Sequence, residues 1–342
     1  MSGTRPPTVS VVIPTLNSER YLDECLDALR LQDYPRNRVE IIIADGGSTD
    51  ATLSIARHHE VDLILDNPLR TGEAGKAVAI KASSGELVCT VDSDNVVVGT
   101  DWLSRMIAPF EDPAVISSEV LYWDYSRDDS YVNRYQALTG INDPMCLWIG
   151  NYGRWSELKG RWTDYPYLSE PRDGWEKVVL HPDFVPTMGA NGYIVRRRAF
   201  DAVPVGEYHF DIDFVHDLVA AGHGTVARVD VAIRHHFCDG VQQFVRKTRR
   251  RSDDFFHFSA EGRRSYPWTR RRLTGIARFV LSTVLVVPLL LDVARGLRRR
   301  RDTAWLFHVP ACWITLWIYA TSTIRWRLAA RTAEHDRRDW GQ

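Results

Sequence analysis

The sequence lacks most of the features that assign a chain to a class at first sight. Its five cysteines, among 342 residues, are scattered and form no C-x-x-C pair, which predicts isolated, reduced thiols in a cytosolic compartment. Met1 to Pro7 is short, polar and proline-rich, so no secretory signal is expected there. No G-x-G-x-x-G follows the first apolar run, which argues against a dehydrogenase. There is no internal repeat and no low-complexity tract.

The charge is balanced overall but unevenly distributed. The net charge is −1. From residue 245 onward there are 21 Lys and Arg against 8 Asp and Glu, whereas residues 1–244 contain 22 against 36. An acidic body is suited to collecting metal ions, and a basic tail is suited to meeting phosphates.

Apolar periodicity predicts strands that alternate with helices in the first third of the chain. This pattern is typical of a parallel sheet whose functional loops lie at the carboxyl ends of the strands. Residues 118–187 lose the pattern and are rich in aromatics, most of which we expect to be packing residues. The predicted strands are 10–14, 39–44, 62–65 and 87–91, with order returning at 189–195. Two helices are predicted to end near residues 31 and 58. Four more are predicted to cover 75–82, 102–109, 214–221 and 241–250.

The strongest local motif is Asp92-Ser93-Asp94, which comes directly after an apolar strand. A carboxylate at a strand end can hold a divalent cation that bridges the two phosphates of a nucleotide. Taken alone, D-x-D occurs often in solvated turns. Its context favours a site, because a second acidic strand end lies upstream at Asp45 and Lys76 is available for phosphate.

Asp45 ends the second predicted strand and precedes two glycines. A carboxylate there can accept the ring N–H of a uracil, and the Gly46-Gly47 turn lets the backbone approach a flat base. The alternative is that Asp45, Ser48 and Asp50 cap the following helix. For Ser48 and Asp50 we favour the capping interpretation.

The order and spacing of several segments resemble family 2 glycosyltransferases, which have the A-type fold. The resemblance covers roughly residues 9–110 and resumes up to about residue 251. It implies an α/β, Rossmann-like fold with a mostly parallel central sheet flanked by helices, and an inverting, metal-dependent transfer from a nucleotide sugar. The segments are SVVIPTLNSERYLDECLDAL, VEIIIADGGSTDAT, GKAVAI, LVCTVDSDN, PTMGANGYIVRRRAFDAV and YHFDIDFVHDLVAAGHG.

The resemblance also implies roles for individual residues. Asp211 lies where the family has its catalytic base, which takes a proton from the acceptor hydroxyl. The glutamate that usually precedes this motif is missing, so Asp213 remains an alternative base. Asp94 is implied as the metal ligand. The implied nucleotide-sugar residues are Pro14, Thr15 and Glu19 along the pocket, Asp45 on the base and Asp92 at the ribose. Lys76 and Ser93 are further candidates for nucleotide-sugar binding.

Two further groups are candidates for the metal and the phosphates. His235 and His236 follow a strand-like run where the family often has a histidine near the metal or the diphosphate, and we favour His235. Imidazole suits Mn²⁺ better than Mg²⁺, and both ions stay open. Arg246 belongs to a basic run that can pair with the donor diphosphate, an acceptor phosphate or anionic lipid, or can form a solvated helix face. Nucleic acid is not expected, because no binding module accompanies the run.

The C-terminal region predicts contact with an anionic membrane surface. Phe279–Leu291 and 303–324 carry no charge, and 303–324 is long enough to span a bilayer, with Trp305, Trp313, Trp317 and Trp326 along it. A spanning hairpin would put the arginines of 295–301 on the far side from Arg270–Arg272, which opposes the positive-inside tendency. Helices in the headgroup plane would keep all these arginines near phosphates. A buried helical pair or an oligomer interface is the alternative.

Together these observations predict three segments and one preferred function. Residues 1–110 form the nucleotide-sugar half, 111–268 the acceptor and catalytic half, and 269–342 a helical membrane-associated segment. The preferred function is transfer from a UDP-sugar to a lipid-linked glycan at the cytoplasmic face of the cell membrane. A polyprenyl-phosphate sugar synthase is the nearest alternative, although Asp94-Asn95-Val-Val-Val replaces the usual Gln-Asp-Pro-Pro-like stretch. A sugar nucleotidyltransferase and a non-catalytic scaffold are alternatives of other classes.

Overall fold

A computed structural model describes residues 5–268 and 273–329. The described chain divides into two compact units that alternate along the sequence. The first unit comprises 5–124 and 166–236, and the second comprises 125–165 together with the described residues from 237 onward. The predicted functional segments end at residues 110 and 268, which are not the boundaries of the two compact units. The functions assigned to these segments stay predictions. Arg270–Arg272 lie outside the described residues.

The secondary structure follows the predicted alternation and extends it. The strands within the described residues are β1 (Val9–Thr15), β2 (Val39–Asp45), β3 (Leu63–Asp66), β4 (Leu87–Thr90), β5 (Asn95–Val97), β6 (Ser117–Trp123), β7 (Leu168–Arg172), β8 (Trp175–Val179), β9 (Tyr193–Arg196) and β10 (Thr225–His235). The helices are α1 (Glu19–Arg30), α2 (Thr52–His58), α3 (Gly72–Ala82), α4 (Trp102–Ile107), α5 (Tyr131–Thr139), α6 (Cys146–Ile149), α7 (Ala199–Ala202), α8 (Asp211–Ala220), α9 (Val241–Ala260), α10 (Leu273–Leu285), α11 (Val287–Arg299) and α12 (His308–Ala329). Short 3₁₀ turns cover Arg36–Arg38, Ala108–Glu111 and Thr303–Phe307.

The first unit is built on one sheet. Its strand order is β3-β2-β1-β4-β9-β6-β10-β8-β7, and β5 pairs with β10 off this path. The four strands from β3 to β4 are parallel, because helices connect them, and β9 joins them antiparallel. Every residue of β1 is buried, as expected for a continuous apolar run in a parallel sheet. The carboxyl ends of β1, β2 and β4 therefore meet at one edge.

A close contact of α3 with β1 fixes the position of the residues around Lys76. A Cβ on Gly75 would lie 2.9 Å from Pro14 Cβ and 3.0 Å from Asn67 Nδ2. Only glycine permits this approach of helix to strand, and Lys76 follows it directly along the helix. The helix begins at a cap in which Thr71 Oγ1 accepts a hydrogen bond from the Ala74 N–H.

The aromatic-rich stretch 118–187 contains more regular structure than its sequence pattern indicates. It includes most of β6, all of α5, α6, β7 and β8, and none of its five tryptophans is exposed. This burial agrees with the expectation that most of these aromatics pack in the interior. All five cysteines are free and buried, as expected of core thiols.

The second unit is helical, and its core includes residues from both ends of its sequence. Tyr135 of α5 packs edge-on against Phe307, and Trp305 is buried against α11 at Gly296. The region predicted as one apolar segment over 303–324 is a 3₁₀ turn followed by α12. Trp305 is therefore a core residue, whereas Trp313 and Trp317 are exposed. Helix α9 continues ten residues beyond the predicted end at Arg250.

The described apolar helices of the second unit include one bent pair with the length and composition of a membrane span. None of the described helices is by itself both long and apolar enough to cross a bilayer. Helices α10 and α11 pass that test only as a pair, and they meet at an angle of 89°. The bend lies at Val286, which has a φ of 62°, and Pro288 stands in the first turn of α11. A β-branched residue is strained in this region of φ, and proline cannot continue the preceding helix.

Candidate active site

Asp45 lies at the carboxyl end of β2, in register with Thr15 at the end of β1. Its carboxylate accepts hydrogen bonds from Thr15 Oγ1 at 2.8 Å, Ser48 Oγ at 2.5 Å, the Ser48 N–H at 2.7 Å and the Gly47 N–H at 2.9 Å. Four bonds equal the acceptor capacity of a carboxylate. To accept the N–H of a uracil, Asp45 would have to release one of them. Its role at the base stays a prediction.

The other residues predicted along the nucleotide pocket hold neighbouring loops together. Glu19 begins α1, and its carboxylate accepts a hydrogen bond from the Ala51 N–H at 2.9 Å. Ser93 Oγ lies 2.9 Å from Ser18 Oγ. These contacts join the loops that follow β1, β2 and β4. Pro14 lies buried in β1.

Asp94 and His235 are brought together by the antiparallel pairing of β5 with β10. Asn95 is paired with His235 in this ladder, so the residue before Asn95 lies beside the histidine. The Asp94 Oδ1 to His235 Nε2 distance is 3.6 Å. His236 turns elsewhere: its Nε2 lies 3.2 Å from Glu24 Oε2. Its ring stacks on Tyr21 with centroids 4.3 Å apart.

These two side chains fit part of a divalent-metal site. A carboxylate oxygen and an imidazole nitrogen are suitable ligands for Mn²⁺, and Mg²⁺ takes one or two carboxylates together with substrate phosphates. No group of three or more His, Cys, Asp or Glu side chains poised to hold a metal occurs in the described part of the chain. The remaining ligands would therefore come from the donor phosphates and water.

Lys76 joins two carboxylates that lie far apart in the sequence. Its Nζ is 2.6 Å from Asp211 Oδ2 and 3.0 Å from Asp92 Oδ1. The lysine side chain is only 6% exposed, and that of Asp211 is 14% exposed. The structure thus places the predicted ribose residue and the predicted base on either side of one buried ammonium group. The expected contact of Lys76 with phosphate stays a prediction.

The surroundings of Asp211 change the ionisation of the groups around it. Burial raises the pKa of Asp211 to about 7, although Lys76 opposes the shift. Burial also acts against the charged form of Lys76, but the carboxylates of Asp211 and Asp92 outweigh it and hold the lysine pKa above its ordinary value. A carboxyl group with a pKa near 7 can take a proton and release it at neutral pH, as a general base must.

Asp211, and not the alternative base Asp213, is the aspartate of α8 whose contact with Lys76 is described above. Asp211 is the first residue of α8, and Asp213 is the third. Side chains two residues apart on a helix do not face each other, so the contact with Lys76 distinguishes the two aspartates. The turn at Gly189 approaches Asp211 closely, because a Cβ on Gly189 would lie 2.5 Å from the Asp211 carbonyl oxygen. Its φ of +106° also favours glycine.

His209 is a neighbour of Asp211, the predicted base, and the sequence analysis assigned His209 no role. Its Nε2 lies 3.7 Å from Asp211 Oδ1, and its backbone N–H donates to the Glu73 carbonyl at 2.9 Å. Burial lowers the pKa of His209 to about 3, with a further contribution from Lys76, so the imidazole is neutral. The sequence signal that could have indicated a role for His209 is its position two residues before Asp211. Nothing else in the sequence distinguishes His209 from a core histidine.

Arg246 belongs to the second unit. It lies on α9 and is exposed, as is Arg249 on the same helix. Its predicted pairing with a phosphate stays a prediction.

Known proteins resemble this chain in the region of the site. Residues 10–166 match the sequence profile of Glycosyl transferase family 2. Over 93 residues the chain is 40% identical to the poly(ribitol-phosphate) β-N-acetylglucosaminyltransferase TarS of Staphylococcus aureus. This alignment covers 26% of this chain and 16% of TarS. Over 84 residues the chain is 37% identical to the dolichyl N-acetyl-α-D-glucosaminyl phosphate 3-β-D-2,3-diacetamido-2,3-dideoxy-β-D-glucuronosyltransferase of Methanococcus voltae, covering 23% of this chain and 26% of that protein. These alignments span only a small part of the curated relatives.

A solved structure extends the likeness to the whole fold. The mannosyltransferase PcManGT from Pyrobaculum calidifontis, determined in complex with GDP-Man and Mn²⁺, has a TM-score of 0.55 to this chain at 16% identity. The superposition covers 94% of this chain and 88% of that chain. The predicted A-type glycosyltransferase fold, with its parallel strands and flanking helices, is confirmed by this comparison. Residues 10–166 of this chain therefore match the domain of Glycosyl transferase family 2.

Proposed function

We propose that the chain transfers a sugar, with inversion, from a UDP-sugar to a hydroxyl group of a lipid-linked glycan at the cytoplasmic face of the cell membrane. The observation that carries this proposal is the meeting of Asp92 and Asp211 at Lys76, in the unit that also pairs Asp94 with His235. The printed names of the relatives support the acceptor class. One acts on poly(ribitol phosphate) and another on a dolichyl-phosphate-linked sugar.

In this mechanism Asp211 acts as the general base. The acceptor hydroxyl loses its proton to the Asp211 carboxylate as its oxygen attacks the anomeric carbon, and the bond to the diphosphate breaks on the opposite face. A single displacement inverts the configuration and needs no covalent intermediate. Lys76 holds Asp211 Oδ2, which leaves Oδ1 as the oxygen available for the proton. General bases contribute about a hundredfold to ten-thousandfold to such steps.

Asp94 and His235 would hold Mn²⁺ or Mg²⁺ together with the donor phosphates. When bound, such an ion stabilises the negative charge that develops on the diphosphate. The preference for His235 over His236 rests on the distance to Asp94, because His236 already contacts Glu24 and Tyr21.

The second unit supplies the proposed membrane contact through the α10–α11 elbow, defined as residues 279–291. This stretch contains no charged residue. Soluble proteins seldom expose so many apolar side chains together, and such patches mark interaction surfaces. The side chains around the bend that are more than half exposed are Leu281, Val284, Leu285, Val287, Leu290 and Leu291.

Charge next to the elbow favours an anionic bilayer as the partner. Arg278 precedes the elbow, and Arg295 and the run Arg298–Arg301 follow it, all exposed. Each arginine near an anionic surface contributes about 1 kcal/mol of attraction. The 89° bend suits helices that lie in the headgroup region better than a straight span. We therefore propose that the elbow inserts into one leaflet and that the arginines bind its headgroups.

A donor screen tests the transfer reaction. The purified chain is incubated with individual UDP-sugars and with GDP-mannose, with Mn²⁺, with Mg²⁺ or with EDTA, and with lipid-linked glycan, polyprenyl phosphate or no acceptor. We expect release of UDP from one UDP-sugar, increased by the metal and by the lipid-linked glycan. Preferential transfer to polyprenyl phosphate would identify the synthase instead, and no turnover of any donor would refute the proposal.

Sedimentation with vesicles tests the membrane contact. The protein should pellet with vesicles that contain phosphatidylglycerol and stay in the supernatant with purely zwitterionic vesicles at the same salt concentration. Release by high salt or carbonate is expected of helices that lie on the surface, and retention would indicate a span. A chain that ignores both kinds of vesicle would contradict the proposed anchor.

A further inference from the structure

We propose that Lys76 is a positioning residue for the base Asp211 and is not a ligand of the donor phosphates. It holds one oxygen of Asp211 and joins that carboxylate to Asp92. The inference rests on the proposed function only in taking Asp211 as the base. It departs from the role that the sequence predicted for this lysine.

Two carboxylates already balance the positive charge of Lys76 before any donor binds. Its Nζ lies within 3.0 Å of one oxygen of each carboxylate, and its side chain is almost completely buried. A buried ammonium group that turned toward a phosphate would leave Asp211 buried without its partner. Removing one member of a buried ion pair is strongly destabilising because the remaining charge is uncompensated. The lysine is therefore held where it is.

The same contact determines which oxygen of Asp211 can react. Oδ2 is held by Lys76 at 2.6 Å. Oδ1 is buried and has no hydrogen-bond partner among the described residues. The nearest ring nitrogen is His209 Nε2 at 3.7 Å, and that imidazole is neutral. Lys76 therefore fixes the orientation of the carboxylate through Oδ2, while the lone pairs of Oδ1 have no donor among the described residues.

Lys76 also sets the charge balance around the base. The charged and titratable groups that act on Asp211 or lie against it include Lys76 and Glu73 on α3, Asp92 after β4, Tyr193 on β9 and His209 before α8. Among these, Lys76 carries the positive charge, whereas Asp92 and Glu73 disfavour ionisation of Asp211. Burial already raises the pKa of Asp211 to about 7. Without the lysine, the base would be protonated at neutral pH.

The test compares Lys76→Met with Lys81→Met. Lys81 lies on the same helix and is exposed, so it controls for loss of a lysine from α3. In Lys76→Met we expect the acidic limb of the kcat/KM profile to move upward by about one pH unit or more. The affinity for UDP should change less than about twofold. Lys76→Arg should restore the limb toward its original position, and Lys81→Met should leave the profile and the affinity unchanged. A profile that keeps its midpoint while UDP affinity falls about tenfold or more would assign Lys76 to phosphate instead.

A second measurement does not depend on sugar transfer. Carboxyl carbons of aspartate are labelled with ¹³C, and the Asp211 resonance is assigned by its loss in Asp211→Asn. Its titration midpoint should rise in Lys76→Met, or in Lys76→Gln if the methionine variant does not fold. An unchanged midpoint overturns the inference whatever the activity. Conversely, a shifted midpoint in a protein that turns over no nucleotide sugar refutes the proposed function and leaves the placement of charge by Lys76 intact.

Discussion

The two compact units use their polar and apolar residues in opposite ways. In the first unit the apolar strand β1 is completely buried and charged side chains converge near strand ends, where Lys76 contacts both Asp92 and Asp211. In the second unit aromatic residues such as Trp305 fill the core, while six large apolar side chains of the α10–α11 elbow are more than half exposed. Its charged residues are mainly arginines at the surface.

This difference indicates a division of labour within one chain. A buried cluster of charges is costly to maintain and is typical of sites that must shift a pKa. Exposed leucines are costly in water and are favourable only against another apolar phase or partner. The comparison therefore predicts two separable properties. Changes in the first unit should affect chemistry without altering vesicle binding, and changes at the elbow should do the reverse.

The largest effect is expected from Asp211→Asn. The amide keeps the shape of the side chain but cannot take the proton, so turnover should fall by at least about a hundredfold. Affinity for UDP, measured by calorimetry, and sedimentation with anionic vesicles should stay unchanged. Because Asp217→Asn lies on the same helix at a site 41% exposed, it should leave turnover unchanged.

Two outcomes would break this part of the comparison. Full activity of Asp211→Asn together with an inactive Asp213→Asn would move the base by two residues. Loss of vesicle binding in Asp211→Asn would mean that the two units do not have separate functions.

Asp94→Ala should come next in size. Without this carboxylate the diphosphate lacks its proposed bridging cation, so affinity for UDP in the presence of Mn²⁺ should fall by about tenfold to a hundredfold. Affinity in EDTA should be the same for the variant and the wild type. His235→Ala should reduce the effect of Mn²⁺ in the same direction, whereas His236→Ala serves as the neighbouring control. If Mn²⁺ increased the affinity for UDP equally in the wild type and in Asp94→Ala, Asp94 would not be a ligand of the metal.

Local patterns predicted the parallel half of the sheet because each strand there is a continuous apolar run. Val9–Thr15 and Val39–Asp45 are recognisable for this reason, and the acidic strand ends follow from them. Strands β7 and β8 gave no such signal. Every residue of Leu168–Arg172 is exposed, so β7 has no buried face that could produce an apolar period. The predicted end of α9 was wrong for a related reason, since Thr248 and Ser252 occupy its buried face between Phe244 and Phe258.

The site itself depends on contacts that a single sequence cannot reveal. Lys76 and Asp211 are separated by 135 residues, and their contact requires both the packing of α3 on β1 and the turn at Gly189. His235 was favoured by resemblance, and the β5–β10 pairing now gives its distance to Asp94. Nothing in the sequence indicated that Lys76 would contact two carboxylates. The roles of these residues in binding and catalysis remain predictions.

The smallest of these effects is expected from the double variant Leu285→Ser and Leu290→Ser, which tests the other side of the comparison. Both leucines are more than half exposed beside the bend at Val286, so their replacement removes apolar surface without opening the core. Full burial of a leucine is worth about 1.5–3 kcal/mol, and loss of two partial contributions should weaken binding to anionic vesicles by about tenfold. Turnover with a water-soluble acceptor should be unchanged.

Leu168→Ser, at a site 74% exposed on β7 of the first unit, is the matched control and should bind vesicles like the wild type. If the control and the double variant lose vesicle binding equally, the attachment does not belong to the elbow. If instead the double variant binds vesicles normally but changes the oligomeric state in sedimentation velocity, the exposed leucines form a contact between protein chains.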